Sequence, residues 1–122
     1  MDQKFDMTQP EAEARRISSE VRQTGKAWAD AKHEADECEA DAEFREAAAS
    51  KAARCGKIEI GETPTVQAVK DWVATDPSVE RARMAHLEAK WAAHKAELAF
   101  KAAEGDREMF KGLLYAKSRT ET

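Results

Sequence analysis

Residues 17–42 read ISSEVRQTGKAWADAKHEADECEADA, and this stretch decides the fold. Ile17, Val21, Thr24, Trp28, Ala31, Ala35, Cys38 and Ala42 follow one another at alternating steps of four and three. An α-helix turns about 100° per residue, so that spacing holds one narrow stripe on one side of a helix for about seven turns. Most of the stripe is alanine. Alanine is too small to fill a core by itself, so the stripe demands a partner that packs close.

The helix around the stripe has clear ends. Thr8 and Pro10 suit a helix start, with Glu11 and Glu13 near the positive end of the dipole. No proline follows until Pro64, and Gly25 is the only glycine before Gly56. The reading is a helix over about 10–55, with Gly56 as its cap. Lys57-Ile58-Glu59-Ile60 alternates polar and apolar and predicts an extended link over 57–62, a plain connection or an edge that pairs Ile58 and Ile60 between subunits. Thr63-Pro64 restarts a short helix over about 64–75, whose apolar face is Val66, Val69, Trp72 and Val73. Asp76-Pro77 repeats the signal and opens a last helix over about 77–117. Residues 1–9 read as a flexible arm and 118–122 as a flexible tail.

Long helices joined by short connections fold back on each other. The predicted fold class is therefore all-α: one antiparallel helical hairpin, coiled-coil-like, over residues 10–117, with a short helix at the bend. Placing Gly56 opposite Pro77 sets Trp28 against Gly105, Ala35 against Leu98, Ala42 against Trp91, Ala49 against Met84 and Val21 against Gly112. Each layer joins a larger group to a smaller one, and Arg45 meets Glu88. A two-helix hairpin covers too little of Leu87, Phe100, Phe110, Leu113 and Leu114, so the chain is expected to self-associate.

Composition agrees. Of 122 residues, 36% are charged and only 7% aromatic, which fits long exposed helices better than a broad globular core. The formal net charge is -4. Residues 1–61 hold 10 basic and 14 acidic side chains, and residues 62–122 hold 10 of each, so the excess acid lies in the first half. No apolar run approaches membrane-spanning length. The N-terminus is polar, and the expectation is a cytoplasmic protein with Cys38 and Cys55 reduced and no membrane partner.

Catalytic and metal chemistry find little support. No nucleophile elbow, phosphate loop or dinucleotide fingerprint is present, so neither an enzyme nor a bound cofactor is expected. His33, His86 and His94 lack a second ligand one helical turn away, and the Glu-x-x-His pairs of bundle metal sites are missing. Asp30, Glu34, Glu37 and Asp41 form an acidic row, read as a solvated face or as an imitation of DNA phosphates. Lys51, Arg54 and Lys57 recur every three residues, with Lys70, Arg81 and Arg83 beyond the bend. Folded back, they cluster at one end, and repeated in a ring they make a rim able to hold phosphates. Trp72 would add a stacking face, unless it belongs to the core.

From Ser50 onward the chain resembles the UvsY-like family of phage recombination mediators. The resemblance is carried by Ser50-Lys51-Ala52-Ala53-Arg54, by Thr65-Val66-Gln67-Ala68-Val69-Lys70-Asp71-Trp72-Val73, by Asp76-Pro77-Ser78-Val79, and by Gly105-Asp106-Arg107-Glu108-Met109-Phe110. It covers about 70 residues. It implies a non-enzymatic protein of DNA recombination and repair. Such a protein forms a homo-oligomer, binds single-stranded DNA and helps load a RecA-like recombinase onto DNA coated by single-strand binding protein. Lys51, Arg54 and Lys57 match the basic segment and would contact the DNA. The chain departs from the pattern in being acidic overall. The residues also allow two other readings, an acidic DNA mimic that inhibits a DNA-binding enzyme and a helical scaffold.

Overall fold

A computed structural model describes residues 4–55 and 65–121. The described residues form three α-helices and no strand: α1 (Pro10–Arg54), α2 (Val66–Thr75) and α3 (Pro77–Glu121). Gly56 as a cap, the link 57–62 with Ile58 and Ile60, the Thr63-Pro64 start and Lys57 lie outside the described residues.

The helix ends follow side-chain chemistry. The described α2 is capped by Thr65: its backbone is extended, and its hydroxyl accepts from the Ala68 N–H at 3.1 Å. Asp76 serves two helices. Its N–H donates to the Val73 carbonyl and closes α2, while its carboxylate accepts from the N–H groups of Ser78 and Val79 and opens α3 behind Pro77. α3 does not stop at Lys117 but continues to Glu121. Nothing after Lys117 breaks a helix, and the Thr120 hydroxyl donates back to the Lys117 carbonyl.

The chain divides into two compact units. The first joins residues 1–30 to residues 93–122. Here α1 and α3 run antiparallel, since Trp28 meets Phe100 while Ile17, nearer the start of α1, lies with Phe110. The Trp28 and Phe100 rings sit 5.4 Å apart, tilted by 30°. Gly25 makes room for this layer, because a Cβ there would lie 3.1 Å from the Phe100 ring edge. Residues 4–9, read above as a flexible arm, have a buried anchor. Phe5 is 3% exposed and stacks on Phe110 at 5.6 Å, over Ile17. Lys4 pairs with Asp106 at 2.6 Å, and Lys117 Nζ donates to the Met7 carbonyl at 3.3 Å.

This anchor explains a buried carboxylate. Glu13 is 8% exposed and falls on the α1 stripe one turn before Ile17. A charge there needs partners. Glu13 accepts from Arg16 Nε at 2.6 Å and from the Asp6 N–H at 3.3 Å. The same hydrogen bond is the main reason the Arg16 guanidinium is held above its ordinary proton affinity.

The second unit holds residues 31–92. Its core joins Ala49 and Ala53 of α1, Val69 and Val73 of α2, and Val79 of α3, with Trp72 half-buried against them. Ala35 and Ala42 continue the α1 stripe and are buried, and Cys38 is half-buried between them. Arg45 and Glu46 reach across to Ser78 at 2.7 Å and Arg83 at 2.6 Å.

All eight α1 stripe positions are buried or half-buried. The face chosen above for α3 is wrong. Trp28 meets Phe100 rather than Gly105, and a Cβ on Gly105 or Gly112 would touch nothing within 4 Å. Met84, Trp91 and Leu98 are exposed rather than seated on Ala49, Ala42 and Ala35. Arg45 bonds Asp41 and Ser78, not Glu88. The stripe of α3 that loses solvent carries Val79, Ala82, His86 and Ala89 in the second unit, and Ala93, Ala96, Phe100, Ala103, Arg107, Phe110 and Leu114 in the first, with Ser78, Glu97, Glu104 and Asp106 half-buried beside it. The stripe also alternates steps of three and four. The reason lies in what covers the ends. Phe110 has Phe5 and Ile17 to pack with, and Val79 has Val69 and Val73. Turning α3 to bury Met84 and Trp91 would strand those two clusters in water, a loss of about 25 cal/mol for each Å² of apolar surface.

Candidate nucleic-acid interface

The basic side chains near the bend belong to the second unit. Lys51 and Arg54 stand in the last turn of α1, where cations also suit the negative end of the helix dipole. Lys70 lies on α2, and Arg81 and Arg83 lie in the first two turns of α3. All five are exposed. Their partners differ. Arg83 is committed to Glu46 at 2.6 Å. Lys51, Arg54, Lys70 and Arg81 form no ion pair among the described residues. Several cations on the long helices are paired locally, as Arg16 is with Glu13 and Glu20, Arg45 with Asp41, and Lys101 with Glu97, while Arg15, Arg22, Lys26, Lys32 and Lys90 also form no ion pair among the described residues.

Arg54 and Lys70 border a groove of about 640 Å³. Its floor is Val66, Val69 and Val73, and Ser50 stands on its wall. Val66 is 71% exposed, an apolar surface beside two uncommitted cations. Glu43 and Glu46 close one side, and Glu46 is the carboxylate already tied to Arg83. An apolar floor flanked by cations can take a flat base or an aliphatic stem while a phosphate is held at the edge.

Of the predicted contact residues, Lys51 and Arg54 stand in the last turn of α1, and Lys57 lies outside the described residues. Trp72 is half-buried. It packs on the Ala49, Ala53, Val69, Val73 and Val79 cluster, and its indole N–H finds no acceptor among the described residues. The valine floor of the groove was missed above as part of a site. Spacing gives no signal for it, because Val66, Val69 and Val73 recur at steps of three and four like one core face, and only the structure shows Val66 exposed.

The acidic row is fully or largely exposed, and two of its members hold basic partners: Glu37 binds His33 at 3.0 Å, and Asp41 binds Arg45 at 3.0 Å. No group of three or more metal-ligating side chains converges among the described residues. No described helix is long and apolar enough to cross a membrane. Comparison with family models, with curated proteins and with solved structures found no match.

Proposed function

We propose that this chain is a recombination accessory protein that associates with copies of itself and binds single-stranded DNA. In this reading it helps load a RecA-like recombinase onto DNA coated by single-strand binding protein, without catalysing a reaction. The observation that carries the reading is the set of four exposed cations, Lys51, Arg54, Lys70 and Arg81, without acidic partners among the described residues. Two of them, Arg54 and Lys70, border an open groove lined in part by Val66, Val69 and Val73, in a chain whose net charge is -4. Uncommitted cations beside exposed apolar surface give an acidic protein a local surface for phosphate. The resemblance from Ser50 onward to the UvsY-like mediators supplies the recombinase and the coated DNA.

The test is fluorescence anisotropy with a labelled single-stranded oligonucleotide over a salt series. Binding should weaken steeply with salt. Each phosphate contact removed should flatten the log–log slope by about 0.7, so Lys51→Ala with Arg54→Ala should lower it by about 1.4. Arg15→Ala with Arg22→Ala, two exposed cations of the first unit, should leave the slope unchanged. No binding at low salt, or equal loss in both double variants, overturns the reading.

A further inference from the structure

The groove of the second unit carries a third cation that is already engaged. Arg54, Lys70 and Arg83 line it on the positive side, and Glu43 and Glu46 on the negative. Arg54 and Lys70 have no acidic partner among the described residues, but Arg83 Nε donates to Glu46 Oε1 at 2.6 Å and so ties α3 to α1. Glu43 stands one turn before Glu46 and forms no ion pair among the described residues.

The Glu46–Arg83 pair decides how much positive charge the groove offers a polyanion. A guanidinium balanced by a carboxylate brings no net charge to a phosphate, and the carboxylate repels the same phosphate. A contact made through such a pair releases no further counterion. The Arg83 and Glu46 side chains are 45% and 38% exposed, so both lie within reach of a ligand in the groove. Charge-assisted bonds are about twice as strong as neutral ones, so the hold on Arg83 depends on the charge of Glu46.

We infer that Glu46 restrains the groove by holding Arg83, and that this one carboxylate keeps a third phosphate-binding cation out of play. The inference deepens the DNA reading above and rests on it. The groove then grips a strand through Arg54 and Lys70 alone, and the strength of that grip is set on α1 at Glu46.

The experiment repeats the anisotropy salt series on the full chain with Glu46→Gln, which keeps the side-chain shape and removes its charge. Far-UV circular dichroism checks folding. The freed Arg83 adds one phosphate contact, so the log–log slope should steepen by about 0.7. Extrapolated from a reference of about 1 M, that slope gives binding about eightfold tighter at about 50 mM salt and about threefold tighter at about 200 mM. Glu43→Gln removes an equal charge from the same groove without freeing a cation, and its slope should stay native. Adding Arg83→Ala to Glu46→Gln should return the slope to the native value. Arg83→Ala alone should keep the native slope and weaken binding, because it leaves the Glu46 carboxylate bare.

A native slope in Glu46→Gln, an equal steepening in Glu43→Gln, or a steepened slope that survives Arg83→Ala overturns the inference and leaves the DNA reading standing. No binding in the native chain and none in Glu46→Gln overturns both. Binding that emerges only in Glu46→Gln supports the inference and counts against the DNA reading of the native chain.

Discussion

Two glycines distinguish the observed packing from the one first expected. Both lie inside helices, Gly25 in α1 and Gly105 in α3. Glycine in a helix costs about 1 kcal/mol relative to alanine, so either substitution gains that much if space allows. At Gly105 the new methyl touches nothing within 4 Å. Gly105→Ala should therefore stabilise the chain by about 1 kcal/mol and raise the melting temperature by about 4 °C. At Gly25 the methyl would lie 3.1 Å from Phe100 Cε2 and 3.4 Å from Cδ2. The Phe100 ring cannot yield freely, because Trp28 stacks on it. Overpacking costs about 1–3 kcal/mol, so Gly25→Ala should end between neutral and about 2 kcal/mol destabilising. Urea denaturation at fixed protein concentration measures both, and the two midpoints should separate by about 0.5 M or more with unchanged slopes. If Trp28 packed into Gly105 the order would invert. A destabilised Gly105→Ala, or a Gly25→Ala as stabilised as Gly105→Ala, refutes the reasoning.

Three further outcomes follow from local contacts. Phe5→Ala should cost about 3–5 kcal/mol by calorimetry or denaturant, since it empties the site between Ile17 and Phe110, whereas a loose arm would tolerate the change. The Thr8 hydroxyl and N–H hold the Asp6 carboxyl below its ordinary 3.8. A depressed carboxyl contributes stability that is full above the unfolded value and lost as pH falls through the folded one, so an acid melting series should lose a stabilising increment below pH 3.8 that Asp6→Asn lacks. Burial, and then the nearby Glu34 carboxylate, push the Cys38 thiol up, while Cys55 is exposed. At mildly alkaline pH a thiol reagent should therefore label Cys55 fast and Cys38 slowly, and equal rates would count against the half-buried position of Cys38.

The legible part of this fold was the part written as a single unambiguous period. Ile17 to Ala42 offers one apolar stripe, and that stripe is the one that packs. α3 offers two, Val79–Ala82–His86–Ala89 and Met84–Leu87–Trp91, and bulk favours the wrong one. Spacing alone cannot choose between two ladders on one helix. The choice is made by elements that sequence periodicity hardly registers: Phe5 in a polar arm, and the two valines of α2 that close on Val79. Spacing likewise gives no hint that Gly25 is the notch that admits Phe100. Of the basic segment, Lys51 and Arg54 were readable because charged residues at the end of a helix stay where the helix puts them. The valine floor beside them was not, since Val66 looks like core until the structure shows it exposed.

The central claim is that Trp28 and Ile17 of α1 pack with Phe100 and Phe110 of α3, while Met84, Leu87, Trp91 and Leu98 stay exposed. Nuclear Overhauser contacts of the three tryptophans test it most directly. Cross-peaks from the Trp28 ring to the Phe100 ring, with none from Trp91 to Ala42, are the expected pattern. Cross-peaks from Trp91 to Ala42, with Trp28 on Gly105, would contradict it.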